Sequence, residues 1–165
     1  MISLMNRMGF SSTFFILVMF KSLHDGCHAQ HNCPPGFRFL RSGCYKAVNM
    51  KASWPEAKTY CAVMGGDLTS VTDGSQQADI SQIAQNGGEG RRYWIAGTSL
   101  IYQHEWRWMH RNGATTPFTY TNWYPGQPER NGELCVAAYS YHSGQWHDHW
   151  CQDNLEFICY ARPTF

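Results

Sequence analysis

Six cysteines between positions 33 and 159 constrain this chain more than any other feature. They are Cys33, Cys44, Cys61, Cys135, Cys151 and Cys159; a further one, Cys27, stands near the start of the 165-residue chain. An even set in a secreted domain reads as three disulfides, and spacing alone leaves their connectivity open. Cross-linked chains of this kind belong to oxidising compartments. The first 29 residues give the reason to expect one. Arg7 is followed by the apolar run from Phe14 to Phe20, with no acidic residue before it. A bilayer needs about 20 apolar residues, so the run is too short for a span. A basic start and a short apolar stretch have the form of a signal peptide. Cleavage is placed after Ala29, with Gly26 as the alternative, so Cys27 leaves with residues 1–29 and a secreted domain of residues 30–165 remains.

Charge excludes one class of partner. Removing Arg7 and Lys21 from 13 basic residues, and Asp25 from 12 acidic ones, leaves the secreted part balanced. No basic stripe is available for nucleic acid. Aromatic residues make up 15% of the chain, with seven tryptophans, which argues for a packed core. No Asn-x-Ser/Thr sequon occurs, so N-glycosylation is not expected.

Along the chain the patterning is mixed. Cys33 to Tyr45 alternates around Gly43 and reads as a small hairpin, stapled at its base if Cys33 pairs with Cys44. Ser53 is a good helix cap, Glu56 completes a capping box, and Pro55 falls in the first turn. Ala57, Tyr60, Cys61 and Met64 continue at helical spacing until Gly65-Gly66. Leu68 to Val71 reads as a short strand, and Asp73 caps a second helix through Ile80, Ile83 and Ala84. Strands follow at Tyr93–Gly97, Glu105–Met109, Leu134–Tyr139, Gln145–Asp148 and Phe157–Tyr160. Residues 111–133 have no regular period and are rich in Asn, Gly, Pro and Thr. A loop that long inside a compact domain is usually functional. Helices and strands segregated in this order make the fold class α+β.

These pieces together resemble the C-type lectin-like domain over residues 33–160. The resemblance is carried by Cys33-Pro34 with Cys44-Tyr45, and by Ala57 and Cys61 with Gly65-Gly66-Asp67-Leu68. It extends to Trp94-Ile95-Ala96-Gly97, Trp123-Tyr124-Pro125-Gly126-Gln127-Pro128-Glu129 and Glu133-Leu134-Cys135, and closes on Trp146-His147-Asp148 with Cys151 and Cys159. It implies two helices flanking antiparallel sheets, one long loop, and the disulfides Cys33–Cys44, Cys61–Cys159 and Cys135–Cys151. It also implies a cis bond at Gln127-Pro128.

The long loop supplies oxygen donors in its own right. Gln127, Glu129 and Glu133 lie close in sequence and Asp148 one strand away. Calcium takes 6–8 oxygen ligands, carboxylates prominent among them. In sugar-binding members of the family, vicinal sugar hydroxyls ligate the calcium and hydrogen-bond to the side chains that hold it. The resemblance therefore implies one calcium site and one carbohydrate site made of the same residues: Gln127, Glu129, Glu133, His147 and Asp148. An amide first and a carboxylate third match the family's galactose order, so galactose or N-acetylgalactosamine is expected over mannose, although Glu129 is one methylene longer than the family's Asp. His147 stands where the family has Asn. Imidazole offers only nitrogen to a hard cation, so calcium affinity is expected to fall and to vary near pH 6.5, the ordinary histidine range. The same substitution makes Zn2+ the alternative metal. Ser99, Gln103, Arg130 and Leu134 replace oxygen-bearing residues at the family's auxiliary sites, so one metal at most is expected.

Other residues have plainer readings. Trp94, Trp106, Trp108, Trp146 and Trp150 read as core, and Arg91-Arg92 as a solvated face. Tyr124, Tyr139 and Tyr141 are candidates for stacking on a sugar, and His142, His147 and His149 for a metal cluster. No nucleophile elbow, P-loop, dinucleotide fingerprint or His-Glu-x-x-His occurs. Glu129 and Asp148, if they ligate calcium, stay ionised and cannot serve as a general acid, so no enzyme is expected. The leading function is a secreted calcium-dependent lectin. The rival is a lectin-like domain that binds a protein or a surface without sugar. Oligomerisation is open, and Cys27, if retained, is a thiol able to link two chains.

Overall fold

The computed structural model describes residues 32–164 apart from His104 and Arg130. The signal-peptide expectation, Cys27 and the role given to Arg130 lie outside the described residues. Nine strands and two helices follow in chain order. They are β1 (Arg38–Phe39), β2 (Cys44–Ala52), α1 (Trp54–Val63), β3 (Asp67–Leu68), α2 (Gly74–Asn86), β4 (Arg92–Thr98), β5 (Arg107–Met109), β6 (Thr115–Pro117), β7 (Cys135–Tyr139), β8 (Gln145–His149) and β9 (Leu155–Ala161).

The helices begin where their caps dictate. Glu56 Oε2 accepts from the Ser53 N–H at 2.9 Å and from its hydroxyl at 2.6 Å, which holds Glu56 below the usual carboxylate range. The Asp73 carboxylate accepts from the N–H groups of Ser75 and Gln76 at 2.8 and 3.0 Å, satisfying donors the helix leaves unpaired. One buried acid on α2 had no sequence signal. Asp79 is fully buried and accepts from Ser42 N at 2.9 Å, with Arg41 Nε at 3.3 Å, so it ties α2 to the β1–β2 turn.

β9 organises the sheet. One of its edges pairs with β2 in antiparallel register from Cys44–Ala161 to Ala52–Leu155. Its other edge meets β3 antiparallel and β4 parallel, through Tyr93–Glu156 and Trp94–Phe157. The sheet is thus antiparallel with one parallel junction. β4 passes the order on to β7 and β5, β7 pairs with β8, and β5 with β6. β3 is shorter than Leu68–Val71 suggests. Thr69 still bridges two strands, its N–H and hydroxyl donating to Ile158 O at 3.0 and 2.8 Å while its carbonyl accepts from Ala96. β6 was not expected. Thr115-Thr116-Pro117 shows no apolar alternation, because it is a largely exposed edge.

All three implied disulfides are present: Cys33–Cys44, Cys61–Cys159 and Cys135–Cys151. In the chain-entropy picture the long Cys61–Cys159 link stabilises by about 4–5 kcal/mol and the short Cys135–Cys151 link by about 3. Trp94, Trp108 and Trp146 are fully buried. The Trp94 indole donates to Ala52 O at 2.8 Å, and the Trp146 indole to Gln77 Oε1 at 2.8 Å. Two of the five expected core tryptophans are not fully interior. Trp106 is half-buried, and Trp150 is 43% exposed. Trp150 follows β8 into a turn and lies against the loop backbone, where a β carbon on Gly132 would come within 3.0 Å of its ring.

Candidate functional site

The long loop is anchored before it reaches the site. Phe118 stacks on Trp108 with centroids 4.1 Å apart, and Trp123 meets Trp106 and Trp146 edge-on at 5.0 and 5.7 Å. Gly97 makes room for this, since a β carbon there would lie 2.7 Å from Phe118 and 2.6 Å from Val136. Backbone bonds fasten the stem to β8: Trp146 N donates to Asn122 O, and Tyr124 N to Trp146 O, each at 2.9 Å. The Gln127 N–H then closes a turn onto Tyr124 O at 2.9 Å, with Pro125 second and Gly126 third at φ +92°. Pro presets its own φ, and glycine supplies the positive one. The next bond, Gln127-Pro128, is cis, as the resemblance implies.

Beyond the proline, side chains hold the loop in shape. Gln127 Nε2 donates to Glu129 Oε1 at 2.9 Å, and Asn131 Nδ2 to Glu129 Oε2 at 3.3 Å. Glu129 N donates to Asp148 Oδ1 at 3.1 Å, and Glu133 N to Asn131 Oδ1 at 3.3 Å. Gln127, Glu129 and Asp148 are therefore brought together, with the Asp148 side chain buried beneath the loop backbone. Asn131 joins them and was missed. Its signal was only that of a further amide two residues beyond Glu129 in a turn-rich stretch.

Glu133 and His147 face other partners. Glu133 Oε1 lies 3.4 Å from His149 Nδ1, and the same imidazole meets Arg92 through Nε2 at 3.1 Å. Successive residues of a strand point to opposite faces. On β8 that sends Asp148 toward the loop and His147 to the opposite face, which Tyr139 of β7 shares. His147 Nε2 meets His142 Nδ1 at 2.7 Å. Tyr139 stacks on His147 at 4.0 Å and Tyr124 on His142 at 3.7 Å. These two tyrosines thus serve imidazoles, while Tyr141 is exposed. Burial, with the neighbouring His142 second, pushes His147 down to about 4. That lies below the range near pH 6.5 in which its titration was expected. Burial raises the Tyr139 hydroxyl.

Arg91 and Arg92 are not a plain solvated pair. Arg91 forms an ion pair with the buried Glu156, and Arg92 lies over the Tyr139 ring as well as beside His149.

The donor set suits a hard cation. Gln127 Oε1 is buried without a hydrogen-bond partner among the described residues. A buried carbonyl oxygen left unpaired costs free energy that a cation would repay. Glu129 and Asp148 supply carboxylate oxygen in the same contact network, while the Glu133 carboxylate lies against His149. Among the described residues no three His, Cys, Asp or Glu side chains gather as a metal cluster, so a cation here would draw on the Gln127 amide oxygen beside the two carboxylates. His147 Nε2 is occupied by His142, which leaves a softer metal less to hold. Among them, too, no helix is long and apolar enough to cross a membrane.

Fold and loop together are those of a C-type lectin domain. The family model described as the lectin C-type domain matches residues 50–161, and the chain belongs to that family. Its members are typically binding domains and not enzymes, and they generally bind calcium. Similar proteins include perlucin of Haliotis laevigata, 32% identical over 130 residues, spanning 77% of this chain and 81% of perlucin. The galactose-specific lectin nattectin of Thalassophryne nattereri is 28% identical over 134 residues, 79% of this chain and 81% of nattectin. Among solved structures, the cow C-type carbohydrate-recognition domain of CD23, in the presence of a GlcNAc2Man3 oligosaccharide, superposes with a TM-score of 0.70 at 27% identity. It covers 82% of this chain and 100% of that domain.

Proposed function

We propose that this chain is a secreted lectin that binds galactose-type glycans through one calcium ion. The observation that carries the reading is the buried, unpartnered Gln127 Oε1, beside a Glu129 carboxylate held from both sides by amides. Gln127, Glu129, Glu133 and Asp148 would hold the ion, whose chemistry is to bind two vicinal sugar hydroxyls. The Gln127 amide donates to one hydroxyl, and the Glu129 and Glu133 carboxylates accept from the other. His147 contributes a neutral, stacked imidazole behind the site, not a ligand. Galactose or N-acetylgalactosamine is favoured over mannose by the order amide-then-carboxylate at 127 and 129, and likeness to a galactose-specific lectin supports that order. Secretion is supported by the apolar leader at 14–20 and by three disulfides, which oxidising compartments maintain.

Calorimetric titration of the refolded domain with calcium at pH 7.5, followed by galactose–agarose chromatography, tests this. Saturable binding at one site, with elution by chelator, is the expected result. No heat and no rise in melting temperature up to about 10 mM calcium, beyond the weak end of extracellular calcium modules, would remove the lectin reading. A zinc titration and a search for protein or surface partners would follow.

A further inference from the structure

A second cavity opens beside the proposed sugar site. It has a volume of about 330 Å³ and is lined by Ser99, Leu100, Gln103, Trp106, Glu133 and Leu134. Glu133 lines it, and the Glu133 N–H donates to Asn131 Oδ1 at 3.3 Å, so the cavity adjoins the tip of the loop. Leu100 and Leu134 both line it and are 46% and 36% exposed, so its wall offers apolar surface to an occupant. The floor beneath them is fixed. The Thr98 hydroxyl donates to Leu134 O at 2.8 Å and accepts from Leu100 N at 3.1 Å, while Ser99 N donates to Leu134 O at 2.9 Å. A rigid cleft loses little entropy when filled.

The lining selects the occupant. A metal is disfavoured, because Glu133 is the only carboxylate among the described lining residues and calcium needs several oxygen ligands. A plain alkyl chain would bury the Gln103 amide and the Ser99 hydroxyl unpaired, which costs free energy. The occupant that satisfies both kinds of wall has hydroxyls and an amide for Gln103, Ser99 and Glu133, and a methyl group and C–H face for Leu100, Leu134 and the Trp106 ring.

We propose that this cavity is a second subsite of the same glycan site and that it takes an N-acetylhexosamine linked to the calcium-bound galactose. The ligand class becomes a disaccharide or longer glycan whose second residue carries an N-acetyl group. This rests on the galactose-type reading above.

The test titrates the intact domain, with calcium, against methyl β-galactoside, lactose and N-acetyllactosamine. Lactose and N-acetyllactosamine differ only in the N-acetyl group on the second ring. Burying its methyl group is expected to make N-acetyllactosamine about fivefold tighter than lactose. Leu100→Asn and, separately, Leu134→Asn should bring that ratio close to one. Both side chains are partly exposed, and melting curves verify that each variant folds. Calcium-dependent binding of methyl β-galactoside with equal affinities for the two disaccharides overturns the subsite and spares the galactose reading. A ratio that survives both substitutions overturns it as well. Failure of every galactoside to bind in calcium overturns both.

Discussion

The two halves of the long loop are built on different physics. Its base, around Phe118, Tyr120 and Trp123, packs on Trp106, Trp108 and Trp146 and is held by ring contacts and backbone bonds. Its tip, from Gln127 to Glu133, has the half-exposed Trp150 ring against Gly132 and is otherwise held, among the described residues, by polar contacts of 2.9 to 3.3 Å that N–H groups make to the oxygens of Glu129, Asp148 and Asn131. The base stores stability, while the tip holds its oxygen atoms by hydrogen bonds that the proposed calcium ion would replace. Aromatic packing fixes where the tip starts, so the tip can be weakly held and still be well placed.

The largest effect expected from breaking this division is at the base. Trp146→Ala removes a fully buried ring that also bonds Gln77, and should cost about 3–5 kcal/mol in urea unfolding. Removing the Cys135–Cys151 bridge with Cys135→Ala and Cys151→Ala should cost about 3 kcal/mol by the same measurement. At the tip the pattern should reverse. Glu129→Gln should change stability by less than about 0.5 kcal/mol, as an exposed substitution does, yet weaken calcium about tenfold or more in calorimetry. If Glu129→Gln instead unfolds the domain, the division fails. A further effect belongs to acid. His147 has a folded pKa of about 4 against an ordinary 6.5, so its neutral form favours the fold. That contribution is complete above about pH 6.5 and is lost as pH falls toward 4. Melting temperature should drop over this interval, and His147→Asn should drop less. A steeper fall in the variant would show that the histidine is not the source.

How legible the molecule was in its sequence follows the range of the interactions. Both helices announced themselves, because caps such as Asp73 act within three residues. Buried strands such as β4 showed as apolar runs. β6 did not, since Thr115 to Pro117 lie at an edge with no face to bury. Trp150 was misread because composition says that tryptophans bury, while its position after β8 says otherwise. At the site, Gln127 and Glu129 were legible as neighbours in one motif. The pairing of His147 with His142, and of Glu133 with His149, depends on which face of β8 each residue takes and on a loop returning from 16 positions away or a turn only five away. Neither could be read without the register of β7 against β8.

Asn32 and Thr164 exchange backbone bonds at 2.8 and 3.0 Å, so the two ends of the described chain leave side by side. Any tether joined to either end would grip the domain at a single point and leave the loop free to orient. The same closeness makes the fold a candidate for circular permutation. A linker from 164 to 32, with new ends cut at the exposed turn of residues 111–113, separates no cysteine from its partner and leaves the long loop whole from Phe118 onward.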